Sequence, residues 1–267
     1  QFFGLGNELV ISDSLNRLDY YNNEMVSAKV NIGLSRMFWK KSVFSVEMMA
    51  EYHDVRPDAR TENGESVYDL FPDDIETTLV GPRLRLDLDF RDSPTFPTKG
   101  VHFVLTDYTF LNSNVDWEIG GRVQADLSSF WSLGAKMPLT LSLKGGVSHS
   151  YGAAPFYYQS FLGQTSHLRG YRKNRFSGNT ATYFNSELRW HIGRIQTRVA
   201  PFYWGIFGFY DVGRTYLEGE NSNTFHNAYG GGAYLIPYNM KSFNLVMTIA
   251  RSEEEVALLK FGVGFFI

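Results

Sequence analysis

Asn185, Glu187, Arg189 and His191 stand at alternate positions of one extended stretch, and Phe184, Ser186, Leu188, Trp190 and Ile192 fill the positions between them. A side-chain period of two puts the acid, the guanidinium and the imidazole on one face of a strand and the bulky apolar groups on the other. The chemistry open to such a face is ion pairing in a wet interior. Signatures of catalysis are missing: there is no G-x-S-x-G, no H-E-x-x-H and no Walker loop. The six histidines are scattered, and His149 and His167, the pair nearest to any motif, lack metal-site spacing. Glu47-Met48-Met49 reads as a strand face rather than a cofactor box. Gly230-Gly231-Gly232 sits inside a strand pattern, where it suits close packing or a bend rather than phosphate binding. No catalytic residue, cofactor or metal site is expected.

The same alternation recurs along most of the chain, in segments as long as a bilayer-spanning strand requires. Val26, Ala28, Val30, Ile32 and Leu34 alternate with Ser27, Lys29, Asn31, Gly33 and Ser35. Phe44, Val46, Met48, Ala50 and Tyr52 carry the next apolar face, after a short turn over Met37–Lys41 whose Phe38 and Trp39 suit an interface. Val80, Leu84, Leu86, Leu88 and Phe90 oppose Arg83, Arg85, Asp87, Asp89 and Arg91. Five charges on one strand face would be ruinous in an apolar core, whereas a water-filled lumen accommodates them. A soluble sandwich also alternates, but its polar face is the outer one and its strands are usually shorter. Further strands are expected over Gln1–Ser12, Val101–Asn112, Trp117–Trp131, Leu139–Ser148, Thr180–Ile192, Trp204–Arg214, Asn227–Ile236, Phe243–Arg251 and Ala257–Ile267. Asp54–Glu76, long, acidic and turn-rich, reads as an external solvated loop without metal-ligand spacing.

Composition agrees. The chain has 267 residues, 16% aromatics, 25 glycines and no cysteine, enough for one barrel or two small domains. Aromatic excess fits interface girdles, although a lectin-like surface would produce it too. The formal net charge of −3 offers no polycationic footprint, so no nucleic-acid partner is expected. No long uncharged apolar run marks a transmembrane helix, which leaves a membrane barrel open.

Between the strands lie two specific motifs. Leu168-Arg169-Gly170-Tyr171, inside the polar loop Ser150–Asn179, resembles the [VIL]-R-G-[FY] signature of the BamA, TamA and two-partner-secretion transporter superfamily. Arg91-Asp92-Ser93-Pro94-Thr95-Phe96-Pro97-Thr98-Lys99-Gly100 resembles the periplasmic turn of the same superfamily, three strands upstream of the motif loop. The resemblance implies that the loop folds back into the lumen and that Arg169 pairs with Glu187 of Ser186-Glu187-Leu188-Arg189 and Asp211 of Phe209-Tyr210-Asp211-Val212-Gly213. In the turn it singles out Arg91, Asp92, Pro94, Pro97 and Gly100.

The expected fold is therefore all-β: a closed antiparallel transmembrane β-barrel of about twelve strands, spanning 1–267 as one domain, with the loop inside. An even strand number puts both termini on the periplasmic side of a bacterial outer membrane. The family barrel has sixteen strands; this chain supplies the five after the loop but only about seven before it, and no POTRA domain. It is either a naturally small barrel or the C-terminal part of a longer chain. The resemblance implies protein insertion or translocation at the outer membrane, in contact with lipid, lipopolysaccharide and other outer-membrane or periplasmic proteins. Two alternatives stand beside it: a barrel that anchors or secretes a fused or partner enzyme, such as a patatin-like lipase or a metallophosphatase, and a passive pore.

Overall fold

The computed structural model describes residues 5–7, 23–39, 41–57, 69, 71–134, 138–163, 167–196, 201–237 and 244–263. Six strands come first: β1 (Asn23–Trp39), β2 (Ser42–Pro57), β3 (Glu76–Asp89), β4 (Gly100–Asn112), β5 (Glu118–Leu133) and β6 (Leu139–Gly152). The connection that follows carries the short β7 (Ser160–Leu162) and β8 (Phe176–Gly178), which pair with each other. Five more complete the series: β9 (Thr180–Gln196), β10 (Pro201–Tyr216), β11 (His226–Pro237), β12 (Leu245–Ser252) and β13 (Leu258–Val263). All but β7 and β8 join one eleven-stranded antiparallel sheet in chain order, with β6 paired directly to β9.

In the middle of this sheet one face is buried and the other exposed, residue by residue along the strand, whereas β1 is exposed on both faces. In β9, Ala181, Tyr183, Asn185, Glu187 and Arg189 are buried while Phe184, Leu188 and Trp190 are exposed. Val30 and Trp190 are exposed, and Leu86 and Leu143 are half-buried on that same apolar face. Large apolar side chains there lie as open as Leu34, 84% exposed, and Phe261, 76% exposed. Among the described residues no second sheet covers them. The polar face satisfies its charges by short-range pairing: Arg83 with Glu47 at 3.2 Å, Arg85 with Asp87 at 2.7 Å, and Arg91 with Asp89 at 2.9 Å. No described helix is long and apolar enough to cross a membrane.

Two expectations need correction. The turn expected over Met37–Lys41 is narrower, because β1 continues to Trp39 through an irregularity at Met37. The strand expected over Gln1–Ser12 does not join the sheet where it is described. Gly6, at φ +134°, donates its N–H to the Ser177 carbonyl at 2.8 Å instead. Asn7 is fully buried: its Oδ1 accepts the Thr215 N–H at 2.9 Å, and its Nδ2 donates to Ser222 Oγ at 2.8 Å. Glycines and an asparagine give that stretch no continuous apolar face, so loop polar groups capture it. The rest of Gln1–Ser12, part of Asp54–Glu76, and Phe265 and Ile267 of the last expected strand lie outside the described residues.

Two contacts reveal the curvature of the sheet. Phe96, in the β3–β4 turn, packs against Tyr234 of β11 at 5.5 Å between ring centroids, and Asn244 before β12 donates to the Thr95 carbonyl at 3.4 Å. Elements far apart in strand order therefore meet across the buried face. Replacing mid-strand Leu188 by arginine is expected to cost about 2–4 kcal/mol of folding stability in lipid vesicles. Guanidinium-induced unfolding in vesicles measures it, and an effect below about 0.5 kcal/mol would be that of an ordinary solvated surface site.

Candidate functional site

The site is assembled from the buried face of β9, β10 and β11. Register places Phe209 of β10 between Glu187 of β9 and Gly230 of β11, and Phe207 opposite Gly232. A Cβ on Gly230 would stand 2.8 Å from the Phe209 ring, and one on Gly232 would stand 2.7 Å from the Phe207 ring. The glycines give the aromatic rings room to lie across β11, a known way of compensating glycine in a strand.

Arg169 sits on the ring so placed, its guanidinium carbon 3.7 Å from the Phe209 centroid. Its Nε and Nη2 donate to Asp211 Oδ2 and Oδ1 at 2.8 and 2.7 Å, a bidentate fork, and its backbone N–H reaches Oδ2 at 3.1 Å. Nη1 donates to Glu187 Oε2. Arg189 donates its Nε to the other oxygen, Glu187 Oε1, at 2.6 Å. Arg169 is 2% exposed and Asp211 0%. Planar guanidinium can bridge carboxylates on neighbouring strands and stack on a ring at once, which an ammonium cannot. Burial opposes the charge on Arg169, but Asp211 and then Glu187 more than offset it and hold its pKa above the usual arginine value.

The neighbours of Arg169 fix the loop on the same face. Leu168 is buried in a cluster with Leu162, Phe176, Tyr183 and Ala228. Gly170 passes so close to the wall that a Cβ would stand 2.8 Å from Ala228 Cβ and from the Arg251 carbonyl, and its own carbonyl accepts the Ser252 hydroxyl at 2.7 Å. Tyr171 is fully buried and donates to the Asn227 carbonyl at 3.2 Å; burial pushes its phenol up to about 12. Arg172 and Arg175 pair with Glu255 and Glu254 at 2.8 and 2.6 Å.

The turn residues form a separate unit at the opposite end of the sheet. Asp92 Oδ1 accepts the N–H groups of Ser93, Thr98 and Lys99 at 2.9, 2.9 and 3.2 Å, and Oδ2 accepts the Thr98 hydroxyl at 2.6 Å. Burial works to raise the Asp92 pKa, but these hydrogen bonds, Thr98 foremost, hold it below the usual carboxylate value. Arg91 pairs with Asp89, Pro97 is buried, Pro94 is exposed, and Gly100 adopts φ +111° against the Phe90 carbonyl. The sequence puts Arg189 on the ion-pairing face and Gly230 at a position of close packing without linking either to Arg169, and it gives Phe209 and Asn7 no role. For Arg189 the signal was available, since it shares parity with Glu187 two residues away. For Phe209 and Gly230 only the cross-strand register reveals the pairing. Among the described residues no group of three or more His, Cys, Asp or Glu could hold a metal. His149 bonds Thr180 at 2.7 Å, while His167 stacks on Tyr183 at 3.6 Å.

A family model described as the Omp85 superfamily domain matches residues 3–264. Among solved structures the chain is similar to the crystal structure of BamA from Haemophilus ducreyi lacking POTRA domains 1-3, with a TM-score of 0.63 and 13% identity, covering 92% of this chain and 54% of that one. The chain thus spans about half the length of that structure, and the likeness is one of fold. No curated protein matches.

Removing one member of a buried ion pair strands the other, at about 3–5 kcal/mol. Arg169→Ala, Glu187→Ala and Asp211→Ala are each expected to loosen the loop, and the Arg169→Ala/Asp211→Ala double variant to be little worse than either single. Coupling of Arg169 to Glu187 is expected to be smaller, because Arg189 still satisfies Glu187. Unfolding free energies around both double-mutant cycles test this, and strictly additive losses would show that the residues act separately.

Proposed function

The chain belongs to the Omp85 superfamily, a family of outer-membrane insertases and translocators, and on that premise we propose that it handles protein substrates at the bacterial outer membrane, in their assembly or secretion. The observation that carries this reading is the family match over residues 3–264. The anchored loop supports it. We read that loop as lying in the lumen of a barrel, with Arg169, Glu187 and Asp211 as the clamp that keeps it there. An interior so occupied argues against a passive pore.

Closure of the barrel is part of the proposal. Open sheet edges in hydrocarbon leave backbone groups unpaired at several kcal/mol each. All ten pairings of the eleven-stranded sheet are antiparallel, so β1 and β13 run in the same direction. They can close antiparallel only through an odd number of further strands, which gives the even-numbered barrel expected from the sequence. With β6 and β9 joined at the external end of the barrel, from which the loop folds inward, β13 runs towards the periplasm, and the β3–β4 turn lies at the periplasmic mouth. The exposed apolar face meets lipid and lipopolysaccharide.

Depletion of the protein from the cells that carry it is expected to lower the level of folded outer-membrane or secreted proteins and to leave unfolded precursors in the periplasm. Comparison of the outer-membrane and periplasmic proteomes reads this. In planar bilayers the purified protein is expected to conduct poorly and the Arg169→Ala variant several-fold better. An unchanged proteome together with high steady conductance of the unaltered protein would replace this reading with a pore.

A further inference from the structure

The loop has a second charged attachment, far from Arg169. β6 ends at Gly152, at φ +61°, and Pro155 then opens a single 3-10 turn over Phe156–Tyr158. Three consecutive aromatics fan out from that turn. The Phe156 N–H donates to Asp74 Oδ2 at 2.8 Å, and Tyr157 lies 4.6 Å from the His53 ring. Tyr158 packs edge-on against Phe110 at 4.7 Å, in a cluster with Met49 and Leu79. Its hydroxyl then donates to Glu51 Oε2 at 2.9 Å.

Glu51 is a gathering point. The same Oε2 accepts Lys29 Nζ from β1 at 2.8 Å and lies 2.9 Å from His53 Nε2. Glu51, His53 and Tyr158 are all buried. Glu51 is on β2, whereas Glu187 and Asp211 are on β9 and β10. In the sheet order β2 and β9 are separated by five strand spacings of about 4.8 Å, roughly 24 Å along the wall. One connection thus grips two distant parts of the wall. The limb 153–159 is held by Glu51 and Asp74, and the limb 167–178 by Glu187 and Asp211. Between the limbs the β7–β8 hairpin is the only strand pairing described within the connection.

We propose that Glu51 is a second positioning residue for the loop, a latch whose release from Tyr158 frees the limb 153–159 while the Arg169 limb, with β7 paired to it, stays seated. The latch rests on the reading that the loop lies inside the barrel. Physically, β7 and Leu162 are tied to the Arg169 limb through β8 and the Leu168 cluster, whereas 153–159 ahead of them is secured by different carboxylates with no shared donor. The loss of one hydrogen bond to a charged acceptor there therefore raises the opening of 153–159 only. Unlatching would clear the β1–β5 side of the interior, next to Lys29, Arg83 and Arg122, and leave the β9–β12 side filled. The latch makes the loop a strut with two independently releasable ends.

The chain contains no cysteine, so single cysteines report each limb cleanly. Ala154→Cys marks the first limb and Ser177→Cys the second, and a membrane-impermeant maleimide reads their accessibility in the full chain reconstituted in lipid vesicles. Tyr158→Phe keeps the ring packing and removes the donor, and heat-modifiable electrophoretic mobility shows that each variant has folded. Tyr158→Phe is expected to speed labelling at residue 154 roughly ten- to hundredfold, the equivalent of one lost charge-assisted hydrogen bond, and to leave residue 177 unchanged. Glu51→Gln is expected to act in the same direction, with no further gain in the Tyr158→Phe/Glu51→Gln double variant. Arg169→Ala is expected to give the reverse pattern, fast at 177 and slow at 154. Equal acceleration at both sites in Tyr158→Phe, or none at 154, would overturn the latch while leaving a seated loop intact. Rapid labelling of both sites in the otherwise unaltered protein would overturn the seated loop, and the latch with it.

Discussion

A guanidinium withdrawn from water has to be answered by negative charge and by a surface to lie on, and Arg169 obtains both from the wall. Asp211 meets it with two oxygens, Glu187 with one, and the Phe209 ring lies beneath it. Each of those three depends on something further out. Phe209 can lie flat because Gly230 has no side chain. Glu187 is held at its second oxygen by Arg189. Asp211 stands on the strand next to β9 at a register that also puts Phe209 opposite Glu187. A one-residue slip of β10 against β9 would turn Asp211 to the exposed face and leave Arg169 without its main partner. The loop and the sheet register therefore hold each other in place.

The same constraint, that charge must be answered where it is buried, organises the whole polar face. Arg83, Arg85 and Arg91 find carboxylates within two residues or on the adjacent strand, so the charges are neutralised locally rather than by a distant field. Local pairing lets the interior carry many charges without net repulsion, and it leaves the apolar side chains no role except to face outward. Apolar groups as open as Leu34 and Phe261 match the lipid-facing surface that an outer-membrane family requires. The two faces are thus two consequences of one alternation.

The loop is held by several kinds of contact instead of one. Tyr171 and Leu168 contribute apolar burial, Gly170 permits the close approach, and Ser252, Glu254 and Glu255 reach it from the end of β12. On the far wall Glu51 and Asp74 hold the limb around Tyr158. A segment with so many polar donors could not lie against a wall that lacked matching acceptors, since each unmatched group would carry a desolvation cost.

Features governed by a clean period can be read along the chain. Eleven of the expected strands are present in their expected order, because alternation of β-branched and aromatic residues with charged ones states both the strand and its facing within a few residues. Glu187, Arg189 and Asp211 were legible as polar-face residues for the same reason, while their link to Arg169 was suggested by the motif's resemblance and by no spacing. Other features depend on residues distant in the chain. The stretch around Asn7 shows no period strong enough to hold it in the sheet, and partners some 208 to 219 positions away determine where it lies. Glycine at 230 looks like any strand glycine until the register sets Phe209 against it. Tyr158 and Glu51 are separated by 107 positions, and nothing in either neighbourhood names the other. Facing is a local property of the backbone and can be read locally, whereas pairing across an interior depends on how far the sheet curls, which is settled only when all the strands are in register.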